Sequence, residues 1–202
     1  MRFSLFLISS LFACLAQAMP LPEVREGDII FHQSRSAQSL AVQQATHSRY
    51  SHMGLVLQHQ GRLQVFEAGA RVQYVPLAQW IARGEGGHYV AKRLNRADEL
   101  LTPDALARMH ALAKGLHGRR YDLAFAWSDE RLYCSELVWK LYERTLGLRL
   151  GELQRIRDFD LSSPVVKAKM RERYGQKVPL DETVISPVAI FESPLLITVA
   201  EE

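Results

Sequence analysis

The stretch RLYCSELVWKLY, residues 131–142, sets Cys134 immediately ahead of an amphipathic run. A cysteine kept as a small apolar filler can sit anywhere in a core. One at the first turn of a helix faces free backbone N–H groups and the positive end of the helix dipole, and both favour the thiolate, the nucleophilic form of sulfur. A thiol nucleophile also needs a base for its proton, and that base is usually a histidine oriented by a third polar group.

Seven histidines are available. His32 follows an apolar strand, His47 ends a helical segment, His59 borders a turn, and His110 and His117 share a later helix; position alone makes each a surface or capping residue. His52 differs: it opens the run HMGLVLQ, with Gly54 two positions on permitting close backbone approach. If Gln60-Gly61 is a two-residue hairpin turn, Gly54 faces Glu67 and His52 faces Gly69. His52 and Glu67 are then diagonal neighbours on one sheet face, roughly 7 Å apart between backbones and within reach of a Glu–His hydrogen bond. A slip by a single residue would turn Glu67 to the opposite face and leave it a solvated carboxylate at a strand end.

The elements that must position these groups follow from periodicity. EGDIIFHQS (26–34) suits a strand, and SAQSLAVQQATHS (36–48) a short helix with Ser36 as its N-cap. The segment 52–76 reads as the hairpin plus a further strand ending at Pro76; LAQWIARG reads as a short helix and HYVAKRL as another strand. The second half is mainly helical. TPDALARMHALAKGLHG (102–118) has Thr102 at the N-cap, Pro103 in the first turn and Gly118 after its end. In CSELVWKLYERTLG (134–147), Leu137, Val138, Leu141, Tyr142 and Leu146 recur at helical spacing, which predicts one face on the core and an N-terminus pointing away from it. SPVVKAKMRERYG and SPVAIFE read as peripheral helices.

The chain begins MRFSLFLISSLFACLAQA, with a basic start at Arg2, an apolar run from Phe3 to about Ala16 and Ala-Gln-Ala before Met19, the pattern of a secretory signal peptide cleaved after Ala18. The apolar run is shorter than the roughly 20 residues of a spanning helix. The competing reading takes Leu-Phe-Ala-Cys (11–14) as a lipoprotein signal with Cys14 lipidated, which Phe12 fits poorly. Either route predicts export to the periplasm, with membrane association only if Cys14 is lipidated. Residues 19–202, about 184 in number, fit one domain. Cleavage would leave Cys134 as an unpaired thiol in an oxidising compartment, either buried and inert or reactive.

A net charge of +3 with acids and bases interspersed offers no polybasic stripe, so no nucleic-acid partner is expected. GEGGH (84–88) lacks the Gly-Lys-Ser/Thr ending of a phosphate loop and reads as a turn before a strand. CxxC and HExxH are absent, and His52, Glu67 and Cys134 would lack a clear fourth ligand, so neither metal nor cofactor is expected.

Cys-Ser-Glu opening a helix, preceded by Gly118-Arg-Arg-Tyr121-Asp122, with Tyr50-Ser-His52-Met-Gly54 and Phe66-Glu67-Ala68 upstream, resembles the permuted NlpC-type papain-like cysteine hydrolases, the YiiX/YaeF/YebB-like group. The resemblance also takes in Gly27-Asp28-Ile-Ile-Phe, Tyr174-Gly175 and Ser186-Pro187. It implies an α+β papain-like fold, circularly permuted so that histidine and its partner precede the cysteine helix, with a central antiparallel sheet packed against helices. It implies Cys134 as nucleophile, His52 as general base and acid, and Glu67 as the group orienting the imidazole. Tyr121 matches a family tyrosine that positions the thiol or donates to the developing oxyanion, unless it serves as an aromatic packing residue. Trp127, Tyr133 and Trp139 are candidates for an apolar groove, Trp139 also falling at core spacing. The expected activity is hydrolysis of an amide bond in a peptide or amino-acid amide, including cell-wall fragments. The alternatives are thiol-dependent acyl hydrolysis or transfer on lipids, and a non-catalytic binding module; a redox thiol would want a resolving cysteine that the mature chain lacks.

Overall fold

The computed structural model describes residues 23–202; the leader and Cys14 lie outside the described residues. The chain runs β1 (Ile29–His32), α1 (Ala37–Thr46), β2 (His52–His59), β3 (Arg62–Ala68), β4 (Val72–Pro76), α2 (Leu77–Ala82), β5 (Val90–Leu94), α3 (Ala97–Leu100) and α4 (Pro103–Leu116). The short strands β6 (Arg120–Tyr121) and β7 (Arg131–Leu132) then lead into α5 (Cys134–Leu146). After it come β8 (Gln154–Arg155), α6 (Pro164–Tyr174), β9 (Thr183–Val184), α7 (Pro187–Phe191) and β10 (Leu196–Glu201). The fold is α+β, as the resemblance implies: six strands in the order β10-β5-β1-β2-β3-β4, every neighbouring pair antiparallel, with helices against them.

Local signals act where they were read. The Ser36 and Thr102 hydroxyls cap α1 and α4 by accepting the N–H groups of Ser39 and Ala105. Gly147 ends α5 in the left-handed conformation. Gln60 and Gly61 both take positive φ, the requirement of a type I′ turn, and His59 pairs with Arg62, Val56 with Val65 and Leu55 with Phe66. This is the register on which the Glu67 expectation depended. The edge strand β10 went unread; LITVAE alternates too weakly to stand out, with only Leu196 buried.

Alternation along the strands divides the interior into two cores. Ile29, Phe31, Met53 and Leu55 join residues of α4 and α5, whereas Ile30, Val56 and Val65 join a smaller core with Leu77 and Trp80 of α2. One expectation is corrected here: α5 is not a one-faced helix. Every residue from Cys134 to Tyr142 is buried because the helix packs at once on β2, β3, α4 and α7. Its polar residues go inside as a connected set, with Lys140 Nζ donating to Glu136 Oε1 at 2.7 Å, Asp129 Oδ1 at 2.9 Å and the Ser128 carbonyl at 2.6 Å. A buried ammonium so surrounded is fully satisfied, which makes the burial tolerable.

Candidate active site

His52 is the first residue of β2 and stands at the rim of the sheet, where groups carried on its two faces can meet. Its Nε2–H donates to Glu67 Oε2 at 2.6 Å, and Cys134 lies near enough to raise the pKa of the ring. Burial disfavours the imidazolium, but hydrogen bonding and charge from Cys134 and from Glu67 outweigh it and hold the His52 pKa at about 9. The ring therefore stays protonated at neutral pH.

Glu67 is fully buried and is no strand-end surface carboxylate. Besides His52 it accepts from Trp80 Nε1 at 2.7 Å, from Arg83 Nη2 at 2.8 Å on both oxygens, and from Gln73 Nε2 at 3.2 Å. Burial pushes its pKa up, yet the His52 hydrogen bond and charge, then Arg83, pull it down to about 2. Gly54 has no room for a side chain: a Cβ there would lie 2.4 Å from Val65 Cγ1 and 3.3 Å from Glu67 Cβ.

Cys134 begins α5 as a free thiol, 4% exposed. As the first helical residue it belongs to the turn whose N–H groups have no intrahelical acceptor, a source of oxyanion donors. The Tyr121 hydroxyl accepts from Gln38 Nε2 at 2.7 Å. Burial, followed by the charge of Cys134, pushes the Tyr121 pKa well above its ordinary value, so the hydroxyl keeps its proton and can donate. Tyr121 and His52 line a common open cleft together with Ser39, Ser51 and Gln73.

The sequence reading missed several members. Trp80 and Arg83 lie three apart at α2 and its C-cap, a spacing that presents both on one helix face. Gln73 sits directly opposite Glu67 in the β3–β4 ladder. Gln38 lies on α1, distant in sequence from the tyrosine it holds.

His32 is the clearest correction. It is 2% exposed rather than a surface residue, because β1 pairs it directly with His52. Its ring stacks on Trp80 at 3.9 Å between centroids, and burial, then the charges of His52 and Arg83, lower its pKa to about 3. It is thus a neutral ring beside a charged one. The other assignments stand closer to expectation: His47 and His117 cap helices, His59 stacks on Tyr74, and His110 pairs with Glu26 at 2.7 Å. Of the three aromatics proposed for a groove, Tyr133 lines the pocket between α1 and α6, whereas Trp127 and Trp139 pack edge to face on each other.

Comparison with known proteins adds an independent line. The YiiX protein of Escherichia coli (strain K12), itself uncharacterized, is 51% identical over 176 residues, covering 87% of this chain and 86% of that protein. The crystal structure of yiiX from Escherichia coli O157:H7, described as a metalloprotein, is 50% identical with a TM-score of 0.84, covering 88% of this chain and 97% of that one. A family model for permuted papain-like amidase enzymes matches residues 23–200. The chain belongs to the permuted papain-like amidase family of YaeF and YiiX.

Proposed function

We propose that the protein is an exported cysteine amidase in which Cys134 Sγ attacks the carbonyl carbon of a peptide or amino-acid amide. The observation that carries this reading is the buried His52–Glu67 bond of 2.6 Å set beside Cys134. The thiol proton resides on His52 as sulfur bonds to carbon, and the carbonyl becomes an oxyanion held by the Cys134 N–H and the Tyr121 hydroxyl. His52 then protonates the departing amine, leaving a thioester. A water gives its proton to His52 and its oxygen to the acyl carbon, and the thiol regains its proton as the acid leaves. Glu67 keeps the imidazole oriented throughout and stabilises it whenever it carries the proton. The order of residues along the chain, base and orienting group before nucleophile, fits the family's permuted topology.

Cys134→Ala should abolish labelling by a thiol-directed acyl probe and turnover of a peptide-amide panel while the circular dichroism stays that of the native chain. Labelling that persists on the alanine variant would falsify the nucleophile assignment. Export rests on the leader pattern, and a purified periplasmic form whose N-terminus is Met19 would support it over an anchored form beginning at a lipidated Cys14.

A second reading, acyl hydrolysis or transfer on lipids, is favoured by an apolar pocket between α1 and α6, lined by Val42, Phe125, Val166 and Met170 and sharing Gln38 with the catalytic cleft. Matched short-acyl and long-acyl substrates separate the two. The non-catalytic reading needs a thiol with no imidazole in reach, and the influence of Cys134 on His52 counts against it. The Escherichia coli structure is described as that of a metalloprotein. Here Glu67 already accepts four N–H donors, and among the described residues no three His, Cys, Asp or Glu side chains converge as ligands, so the residues present do not fit a metal.

A further inference from the structure

The catalytic cleft has an unbalanced wall. Arg71, Arg83 and Arg120 line it, and none of its lining residues is Asp or Glu. Several arginines elsewhere are matched: Arg25 pairs with Asp98, Arg93 with Asp28, Arg144 with Asp129 and Arg155 with Asp181. Arg83 faces Glu67 behind the wall. Arg71 donates only to the Gly118 carbonyl at 3.1 Å, and among the described residues the Arg120 side chain has no hydrogen-bond or ion-pair partner.

The backbone holds these two side by side. Arg71 and Arg120 are partners in an isolated antiparallel bridge, fixed by Val72 N–H to the Arg119 carbonyl at 2.8 Å, Gly118 N–H to the Val72 carbonyl at 2.8 Å and Tyr121 N–H to the Ala70 carbonyl at 3.1 Å. Directly opposed residues of an antiparallel pair project from one face, and like charges so placed repel. The bridge abuts the site: Arg120 precedes Tyr121, and Arg71 follows the turn that leaves Glu67. Two guanidinium forks without an acidic partner, on the wall of the cleft that His52 and Tyr121 also line, suit a planar or tetrahedral oxyanion, which each fork can bind through paired N–H donors.

We propose that Arg71 and Arg120 form an anion subsite of the catalytic cleft, and that the amide substrate carries a carboxylate or phosphate near its scissile carbonyl. This rests on Cys134 being a nucleophile open to that cleft. It narrows the substrate class from amides in general to acidic ones.

Iodoacetate and iodoacetamide test it without knowledge of the substrate. Each transfers its CH₂ carbon to Cys134 sulfur with loss of iodide, and they differ only in charge. The ratio of their rates, followed by intact mass, cancels any change in thiol reactivity within one variant. In the double variant Arg71→Gln/Arg120→Gln the iodoacetate-to-iodoacetamide ratio should fall by about tenfold, the weight of a charge-assisted contact. Arg62→Gln, at the far end of the hairpin, should keep the native ratio. Should the double variant misfold, Arg120→Gln alone serves, since among the described residues that side chain makes no hydrogen bond or ion pair.

Succinate and inorganic phosphate should slow the iodoacetate reaction of the native protein, and whichever competes better identifies the group. An unchanged ratio with normal alkylation overturns the anion subsite alone. Failure of Cys134 to react with either reagent overturns the nucleophile reading as well. Protection by anionic phospholipid vesicles but by neither small anion would make the patch a membrane-facing surface and also overturn the subsite.

Discussion

Glu67 and Glu136 are both wholly buried carboxylates, yet their surroundings drive them in opposite directions. Glu67 receives four N–H groups from β2, β4 and the end of α2, and its pKa falls to about 2. Glu136 receives Lys140 and a longer contact of 3.4 Å from the Tyr133 N–H, and burial carries its pKa up to about 7. Burial alone decides neither; the number of donors that replace lost water does. Glu67 is held ionised where a permanent negative charge supports an imidazolium. Glu136 tethers the first turns of the helix that bears Cys134.

Removing Glu67 should produce the largest effect. Glu67→Ala leaves the Trp80, Gln73 and His52 donors facing one another, and should lower turnover by about a thousandfold. It should also cost roughly 3 kcal/mol of stability in urea unfolding, moderated because Arg83, 46% exposed, can turn to water. Glu67→Gln keeps the shape but withdraws the charge that helps hold His52 near 9, so the alkaline limb of Cys134 alkylation should move to lower pH. An unmoved limb would show that the thiol alone sets the imidazole's charge.

Lys140→Ala should come next, at about 3 kcal/mol with turnover reduced less than by Glu67→Ala, because it strands the Glu136 carboxylate. Adding Glu136→Gln to it should recover most of that loss. If the pair of changes is no better than the first, the ammonium acts through packing. Trp80→Phe deletes one neutral donor to Glu67 and should cost about 1 to 2 kcal/mol, with the His32 stack preserved.

The smallest effect is a pH dependence of opposite sign at the two carboxylates. Glu67, lowered from 4.5, adds stability above that value, and this is lost as pH falls towards 2. Glu136, raised from 4.5, adds stability below that value, and this is lost as pH rises through about 7. Glu136→Gln should therefore flatten the thermal midpoint between pH 4.5 and 7 while leaving the more acidic decline in place. A decline that also disappears would mean Glu67 does not govern it.

Much of the site was legible because one turn fixes a register. Gln60-Gly61 sets every pair of the β2–β3 hairpin, and alternation then decides that His52 and Glu67 share a face. His32 was lost because its meaning depends on the β1–β2 pairing, whose connection contains a helix and carries no such turn signal. The burial of α5 was lost because Glu136 and Lys140, four residues apart, look identical in sequence to a solvated pair on a helix surface.

What the sequence determined by itself is local: helix caps and ends, the hairpin register, and a cysteine at the start of a helix. These follow from backbone sterics and side-chain alternation over a few residues. Tertiary structure alone decided that the thiol meets His52, that α2 turns its Trp80 and Arg83 donors onto Glu67, and that Arg71 and Arg120 stand together unmatched in the cleft. The reason is electrostatic. A charged group's state depends on which donors and charges surround it once water is excluded, and here those come from segments far apart along the chain.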